Sequence, residues 1–276
     1  MNITKEKLYE LIEKVRSGNP LVHNITNYVV MNNTANALLA SGSSPVMAHA
    51  AEEVADMVAI AGALVVNMGT LDAGWVNSMK KAIKKAAELQ KPIVLDPVGV
   101  GATPFRNQTL HELISISPPA VLRGNSSEIM AVHDHSKTTR GVDSSDSSDS
   151  ALAVAGALNQ DLGSVICISG AVDYILDKNR VAELHNGHAL MAKVTGMGCT
   201  STALIGAFVA VHDDHFEATT AAMALLGVAG QLAAGKANGP GTLQLHLLDK
   251  LYNLSKEEFL DTVRLEINSP IKVENI

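Results

Sequence analysis

Short, uninterrupted apolar runs alternate along this chain with longer stretches that are polar on one side only. Ala63-Leu64-Val65-Val66-Asn67-Met68-Gly69, Pro92-Ile93-Val94-Leu95-Asp96-Pro97, Ala120-Val121-Leu122 and Ser164-Val165-Ile166-Cys167-Ile168-Ser169 are short and apolar at consecutive positions, so each reads as a strand buried on both faces. Between the first two, Asp72 to Gln90 sets Lys80, Lys81, Lys84 and Lys85 against Trp75, Met79 and Ile83, the pattern of an amphipathic helix. Further helices are expected around Leu110–Ile114, at Ser126–Val132 and at Ala151–Leu158, and His23 to Asn27 is expected to lie near a helix start. Asp173 to Leu190 is expected to hold two short antiparallel strands with a turn at Asp177-Lys178-Asn179, and the chain from Cys199 onward to be mostly helical. Strands of this kind alternating with helices predict an α/β fold: a central, mostly parallel sheet flanked by helices on both faces. No composition break or internal repeat divides the chain, so one domain over residues 1–276 is expected.

Composition narrows the picture. Hydrophobic residues make up 47% and aromatics only 3%, so the core is aliphatic. The net charge of -7, with no basic stripe, argues against a nucleic-acid partner. Cys167 and Cys199 have no Cys-x-x-Cys partner, which suits a reduced, cytoplasmic protein. The polar N-terminus does not read as a signal peptide, and the Ala- and Thr-rich stretch 218–234 reads as a buried helix, so no membrane span is expected. The Ser/Asp run 142–150 reads as a solvated loop capping the next helix. The His-bearing clusters at 133–135, 185–188 and 212–215 do not follow a zinc pattern.

In an open parallel sheet, ligands bind beyond the carboxyl ends of the strands, and the residues there are unusually polar. Asn67, Asp96, Arg123, Asn125, Glu128 and Ser169 follow successive strands. Asp96 and Glu128 are a carboxylate pair of the kind that holds Mg²⁺ together with substrate phosphates, and Arg123 offers a planar fork for phosphate oxygens. Gly196-Met197-Gly198-Cys199 runs straight into an apolar helix, where glycine backbone and helix start together favour an anion. Each feature also has a plainer reading. Asn125 to Glu128 fits a reciprocal helix cap, Asp96-Pro97 a simple turn, and the glycine turn lacks the Gly-Lys-Ser/Thr ending of a Walker A loop.

Five ordered motifs carry a resemblance. Leu21-Val22-His23-Asn24-Ile25-Thr26-Asn27-Tyr28-Val29, Pro45-Val46-Met47-Ala48, Val94 to Gly99, Arg123-Gly124-Asn125-Ser126-Ser127-Glu128-Ile129 and Thr195-Gly196-Met197-Gly198-Cys199 resemble the hydroxyethylthiazole kinase family over about residues 5–265. The resemblance implies a ribokinase-like fold and an enzyme that phosphorylates the hydroxyl of 4-methyl-5-(2-hydroxyethyl)thiazole with ATP and Mg²⁺ for thiamine diphosphate biosynthesis. It implies a homotrimer with active sites at subunit interfaces. By analogy Met47, Asn27 and Gly196 contact the thiazole, Arg123 and Ser169 bind ATP, Asp96 and Glu128 serve magnesium, and Gly198 and Cys199 form the catalytic anion hole. Met197, and Thr242-Leu243 in the late glycine turn, depart from the family's usual residues.

Cys199 stands where many ribokinase-like relatives place an aspartate base. A helix start, magnesium and an arginine all lower a thiol's pKa, whereas a nucleotide γ-phosphate opposes a thiolate. The expectation is a residue that orients the hydroxyl and is at most a weak base. Three other readings share the fold or the ligand: a hydroxymethylpyrimidine kinase, an ADP-dependent dehydratase of hydrated nicotinamide nucleotides, and a non-catalytic binder. The segment Pro45-Val46-Met47 with Asn24 to Asn27 favours the thiazole kinase.

Overall fold

The computed structural model describes residues 3–136, 148–178 and 180–268. Its strands are β1 (Leu21–Ile25), β2 (Ser44–Val46), β3 (Ala63–Asn67), β4 (Ile93–Asp96), β5 (Val121–Asn125), β6 (Val165–Ser169), β7 (Asp173–Asp177), β8 (Arg180–Leu184) and β9 (Leu265–Asn268). Its helices are α1 (Lys5–Gly18), α2 (Met31–Ala40), α3 (Val54–Ile60), α4 (Ala73–Glu88), α5 (Pro104–Ile116), α6 (Ser126–Ser136), α7 (Ser148–Leu162), α8 (Met197–Val209), α9 (His215–Ala234), α10 (Pro240–Asn253) and α11 (Lys256–Thr262). One nine-stranded sheet has the order β2-β1-β3-β4-β5-β6-β7-β8-β9. β2 through β6 are parallel, and β6 to β9 continue the sheet antiparallel.

Successive side chains of a strand point to opposite faces, so each buried strand feeds two cores. Val22, Val65, Val94, Val121 and Cys167 join α1, α2, α8, α9 and α10 in one. Leu64, Val66, Leu95, Leu122 and Ile166 join α3 to α7 in the other. Trp75, Met79 and Ile83 of α4 are buried as the pattern requires, and Asp72 caps that helix by accepting from the Trp75 N–H. α8 rides close on the sheet, because a Cβ at Gly206 would overlap Val65 and stand 3.0 Å from Val22. The stretch 218–234 lies within α9, which is long and apolar enough to cross a membrane but is 89% buried in its most apolar window, as a core helix is.

One expectation changes, and two short edge strands carried no signal of their own. His23 and Asn24 sit inside strand β1 rather than at a helix start. Their polarity masks the strand, yet both are buried: His23 Nε2 lies 2.7 Å from the Ala48 carbonyl and Asn24 Nδ2 donates to the Val22 carbonyl at 3.0 Å. β2 is three residues long and contains Pro45, which an edge strand tolerates. The chain after Cys199 is mostly helical as expected, and its described part ends in an edge strand, β9, whose mostly exposed residues give no apolar run. The antiparallel pair β7–β8 forms as expected, with Asn179 of its turn outside the described residues. Of the Ser/Asp run, residues 142–147 also lie outside them.

Candidate active site

The two-residue period of the strands builds the site. Val65, Val94, Val121 and Cys167 face the core beneath α8, so the residues two further along, Asn67, Asp96, Arg123 and Ser169, point to the same side at the strands' carboxyl ends. There they meet the start of α8. Gly196 precedes that helix with φ +81, a left-handed conformation that suits glycine, and a Cβ there would stand 2.6 Å from Val30. A Cβ at Gly198 would overlap the Arg123 guanidinium, so glycine lets the arginine lie across the first turn. The free amides and partial positive charge of that turn add to Arg123, an arrangement suited to an anion.

Asp96 is fully buried. Its Oδ2 accepts from Asn67 Nδ2 at 2.9 Å and from Thr202 Oγ1 at 2.7 Å, with Arg123 Nη1 at 3.7 Å. Its Oδ1 is buried with no hydrogen-bond partner among the described residues. Burial pushes the carboxyl up to about 6, against the pull of Arg123 and the Thr202 hydrogen bond. Arg123 donates to the Ser169 hydroxyl, and its Nε has no partner among the described residues. Asp173, one turn beyond Ser169, accepts from the Gly170 N–H at 3.0 Å, and burial pushes its carboxyl up to about 6.

The Cys199 sulfur accepts from Asn27 Nδ2 at 3.5 Å, and Asn27 Nδ2 also donates to Asn67 Oδ1 at 2.9 Å. Burial, then the Asp96 charge, raise the thiol's pKa, and the donors Asn67 and Asn27 only partly oppose them. The helix start and Arg123 therefore do not make Cys199 a thiolate. Cys167, deep under the sheet, is raised further and is core.

Glu128 forms the reciprocal cap that its spacing suggested. Its Oε2 accepts from the Asn125 N–H at 2.9 Å, and its own N–H donates to Asn125 Oδ1 at 2.9 Å. Its Oε1 also accepts from the Gly99 N–H at 3.0 Å, tying the cap to the loop after Asp96. Each carboxylate oxygen has two lone pairs, so these bonds leave acceptor capacity for a cation. Met47 follows edge strand β2 and is packed, half-buried, on the α8-side core, three strands from Asp96.

Three contributors lacked a sequence signal strong enough to assign them. Asn67 was visible only as a polar strand end. Thr202 lies one helical turn after Cys199 and donates to the buried carboxylate. Arg106 joins the loops after β3 and β4, with Nη2 2.6 Å from the Gly69 carbonyl and Nη1 2.6 Å from that of Val98. A cleft of about 590 Å³ opens beside Arg123, Ser169 and Gly198, with Met197, Met223 and Leu226 on its apolar wall. A groove of about 630 Å³ lies away from the strand ends, lined by Lys80 and by α5 residues such as His111 and Glu112. Glu183 of β8, His185 just after it and Glu266 of β9 also approach one another, with the imidazole 3.7 and 3.8 Å from the two carboxylates.

A model of the hydroxyethylthiazole kinase family matches residues 12–257. A hydroxyethylthiazole kinase of Leptospira biflexa is 52% identical over 260 residues, covering 94% of this chain and 96% of its own length. The solved structure of a hydroxyethylthiazole kinase from Pyrococcus horikoshii superposes with a TM-score of 0.89 at 42% identity, over 95% of this chain and 99% of that one. A ribokinase-like superfamily protein from Enterococcus faecalis, 15% identical, has a TM-score of 0.65 over 92% of this chain and 96% of its own, a likeness of fold alone.

Proposed function

The chain belongs to the hydroxyethylthiazole kinase family, and from that premise we propose how its residues carry the reaction. It is a kinase that phosphorylates the hydroxyl of hydroxyethylthiazole, with ATP as co-substrate, in thiamine salvage. The observation that carries the assignment of roles is the meeting of Asn27, Asp96 and Cys199 at the start of α8, beside a cleft that Arg123 and Ser169 border.

The nucleotide occupies that cleft, with Arg123 and Ser169 on its phosphates. The γ-phosphoryl group lies over the first turn of α8, where the amides after Gly196 and the opening at Gly198 take up its charge. The thiazole alcohol is held by Met47, Asn27 and Gly196, with its hydroxyl against Cys199. Its oxygen forms the new bond to phosphorus as the bond to the ADP oxygen breaks, and its proton leaves late, to an oxygen of the transferred phosphoryl group and then to solvent, because such transition states are loose. A neutral thiol accepting from Asn27 orients the hydroxyl and is at most a weak base. Mg²⁺ supplies charge neutralisation on the phosphates. The unpartnered, buried Asp96 Oδ1 fits that ion, and Glu128 reaches the same rim through the Gly99 loop.

The active form is a homotrimer with sites at its interfaces. Tyr28 and Val29, 62% and 63% exposed, directly follow Asn27 and leave apolar surface beside the thiazole site. A single domain over residues 1–276 is consistent with the one continuous sheet. A cytoplasmic location suits two free thiols and ATP as co-substrate.

The test is ADP release by the purified protein with hydroxyethylthiazole, and mass detection of the thiazole phosphate. Turnover with hydroxymethylpyrimidine instead, or dehydration of a hydrated nicotinamide nucleotide, would overturn the reading. Binding of the alcohol without ADP release would make the protein a binder.

A further inference from the structure

We propose that Asn67 is a positioning residue for phosphoryl transfer, a single buried amide that sets the orientation of Asp96 and Cys199 together. This rests on the functional reading above. Asn67 ends β3 directly beside Asp96 in the parallel register, so the amide and the carboxylate stand at one height with no freedom to slide apart. One amide N–H donates to Asp96 Oδ2 at 2.9 Å, and the amide is linked to the Cys199 sulfur through Asn27, whose Nδ2 donates to that sulfur at 3.5 Å. The carbonyl oxygen accepts from Asn27 Nδ2 at 2.9 Å and from the Gly69 N–H at 2.9 Å.

These partners fix which way the amide faces. Turned over, its NH₂ would oppose the Gly69 N–H and its oxygen would oppose the Asp96 carboxylate. Gly69 leaves the room that the contact between the two asparagines needs, because a Cβ there would stand 2.5 Å from Asn27 Nδ2. Thr202 Oγ1 donates to the same Asp96 oxygen from the other side, at 2.7 Å. A carboxylate's two oxygens are equivalent until its surroundings distinguish them. Here Asn67 and Thr202 occupy Oδ2, which leaves Oδ1 as the oxygen with no partner. The same amide that leaves Oδ1 as the open oxygen of Asp96 fixes Asn27, the donor to the Cys199 sulfur.

The experiment compares wild type with Asn67→Ala, Asn67→Asp, Thr202→Val, Thr202→Ser and the Asn67→Ala/Thr202→Val double variant. Steady-state kinetics are read alongside titration of an ATP analogue with and without Mn²⁺, and thermal melting. Asn67→Ala is expected to lower kcat about 10- to 100-fold, the scale on which small misplacements act. Mn²⁺ affinity in the presence of the analogue should fall about tenfold, while metal-free analogue binding stays within about threefold. Asn67→Asp keeps the shape and the acceptor but sets a carboxylate against Asp96, so it should lose at least as much turnover. Thr202→Val should show the same signature and Thr202→Ser should recover it. The double variant should lose less than the product of the single losses, because both act through one carboxylate.

Reduced melting temperature with kcat and Mn²⁺ affinity unchanged would overturn the proposal, as would fully multiplicative losses. If Asn67→Ala does not fold, Asn67→Asp and the Thr202 pair decide by the same signatures. A wild type that binds the analogue and Mn²⁺ yet phosphorylates no thiazole alcohol would overturn the functional reading, and the Mn²⁺ titration would then decide Asn67 alone.

Discussion

Asp96 stands in the fold at a cost, and Asp96→Asn should remove it. The side chain is fully buried, and its carboxyl is pushed from 3.8 up to about 6. At about 1.4 kcal/mol per decade of pKa, holding the ionised form folded at pH 7 costs about 3 kcal/mol relative to a neutral group of the same shape. Asparagine supplies that group. Its oxygen can accept from Asn67 and Thr202 where Oδ2 does now, and Arg123 keeps its bond to Ser169. The sign follows from the raised folded-state value. Below about pH 3.8 the carboxyl is protonated in both states and costs nothing, and the penalty appears as pH rises from there through 6. Urea unfolding of both proteins, metal-free with a chelator present, should therefore show the variant more stable by about 3 kcal/mol at pH 7 and by about 1 kcal/mol at pH 4.5. The melting temperature at pH 7 should rise by about 6 °C, while turnover is lost. A variant less stable than wild type at pH 7, or a gap that does not narrow on acidification, would refute the reasoning.

Gly198→Ala should weaken ATP-analogue binding about tenfold or more by displacing Arg123 from the helix start, measured by calorimetric titration, with little loss of helix stability. Glu128→Gln keeps one acceptor for the Asn125 cap but turns an NH₂ toward the Gly99 N–H, so stability should fall by about 1–2 kcal/mol. Turnover should nonetheless fall about tenfold or more if Glu128 serves magnesium, and unchanged turnover would leave it as a cap only. The raised thiol predicts that Cys199 alkylates slowly with iodoacetamide at pH 7, accelerating about tenfold per pH unit until its pKa is reached. Cys199→Ala should lower kcat by less than about 10⁴-fold, and a larger loss with Cys199→Asp inactive would make the thiol essential.

Legibility in the sequence followed how a strand is buried. β3, β4 and β6 are apolar at consecutive positions, and each could be read within a residue or two of its bounds. β1 could not, because His23 and Asn24 interrupt its run and only tertiary partners such as the Ala48 carbonyl make them fit a core. β2 and β9 are edges, where one side of each strand needs no apolar signal. The site divided in the same way. Asp96, Arg123 and Ser169 were visible as polar residues ending apolar runs, and Gly196 to Cys199 as a turn entering a helix. Glu128 matched its cap spacing, although its bond to Gly99 depends on a crossing between two loops. Asn67 and Thr202 acquire meaning only from the carboxylate between them, a relation 106 residues long for Thr202. The direction of the Cys199 shift was likewise out of reach, since burial and the Asp96 charge are properties of the folded site.

The charge balance explains why a thiol can stand at position 199. The Asp96 charge raises the Cys199 pKa, so the two side chains share one electrostatic neighbourhood, and Glu128 adds a second carboxylate that raises Asp96 in turn. Among the described residues the cationic side chain paired with them is Arg123, which must also face an incoming polyphosphate. An aspartate at 199 would bring a proton acceptor, but also a third negative charge beside the γ-phosphate, with its own pKa driven upward by Asp96. A neutral thiol avoids that repulsion and keeps the hydroxyl aligned through Asn27 and Asn67. In a loose transition state little proton transfer is needed before the new bond forms, so alignment is the larger share of what this position contributes. The variant Cys199→Asp should accordingly remain active, with turnover more sensitive to pH between about 5 and 8 than wild type, as a carboxylate raised by its neighbour titrates through that range.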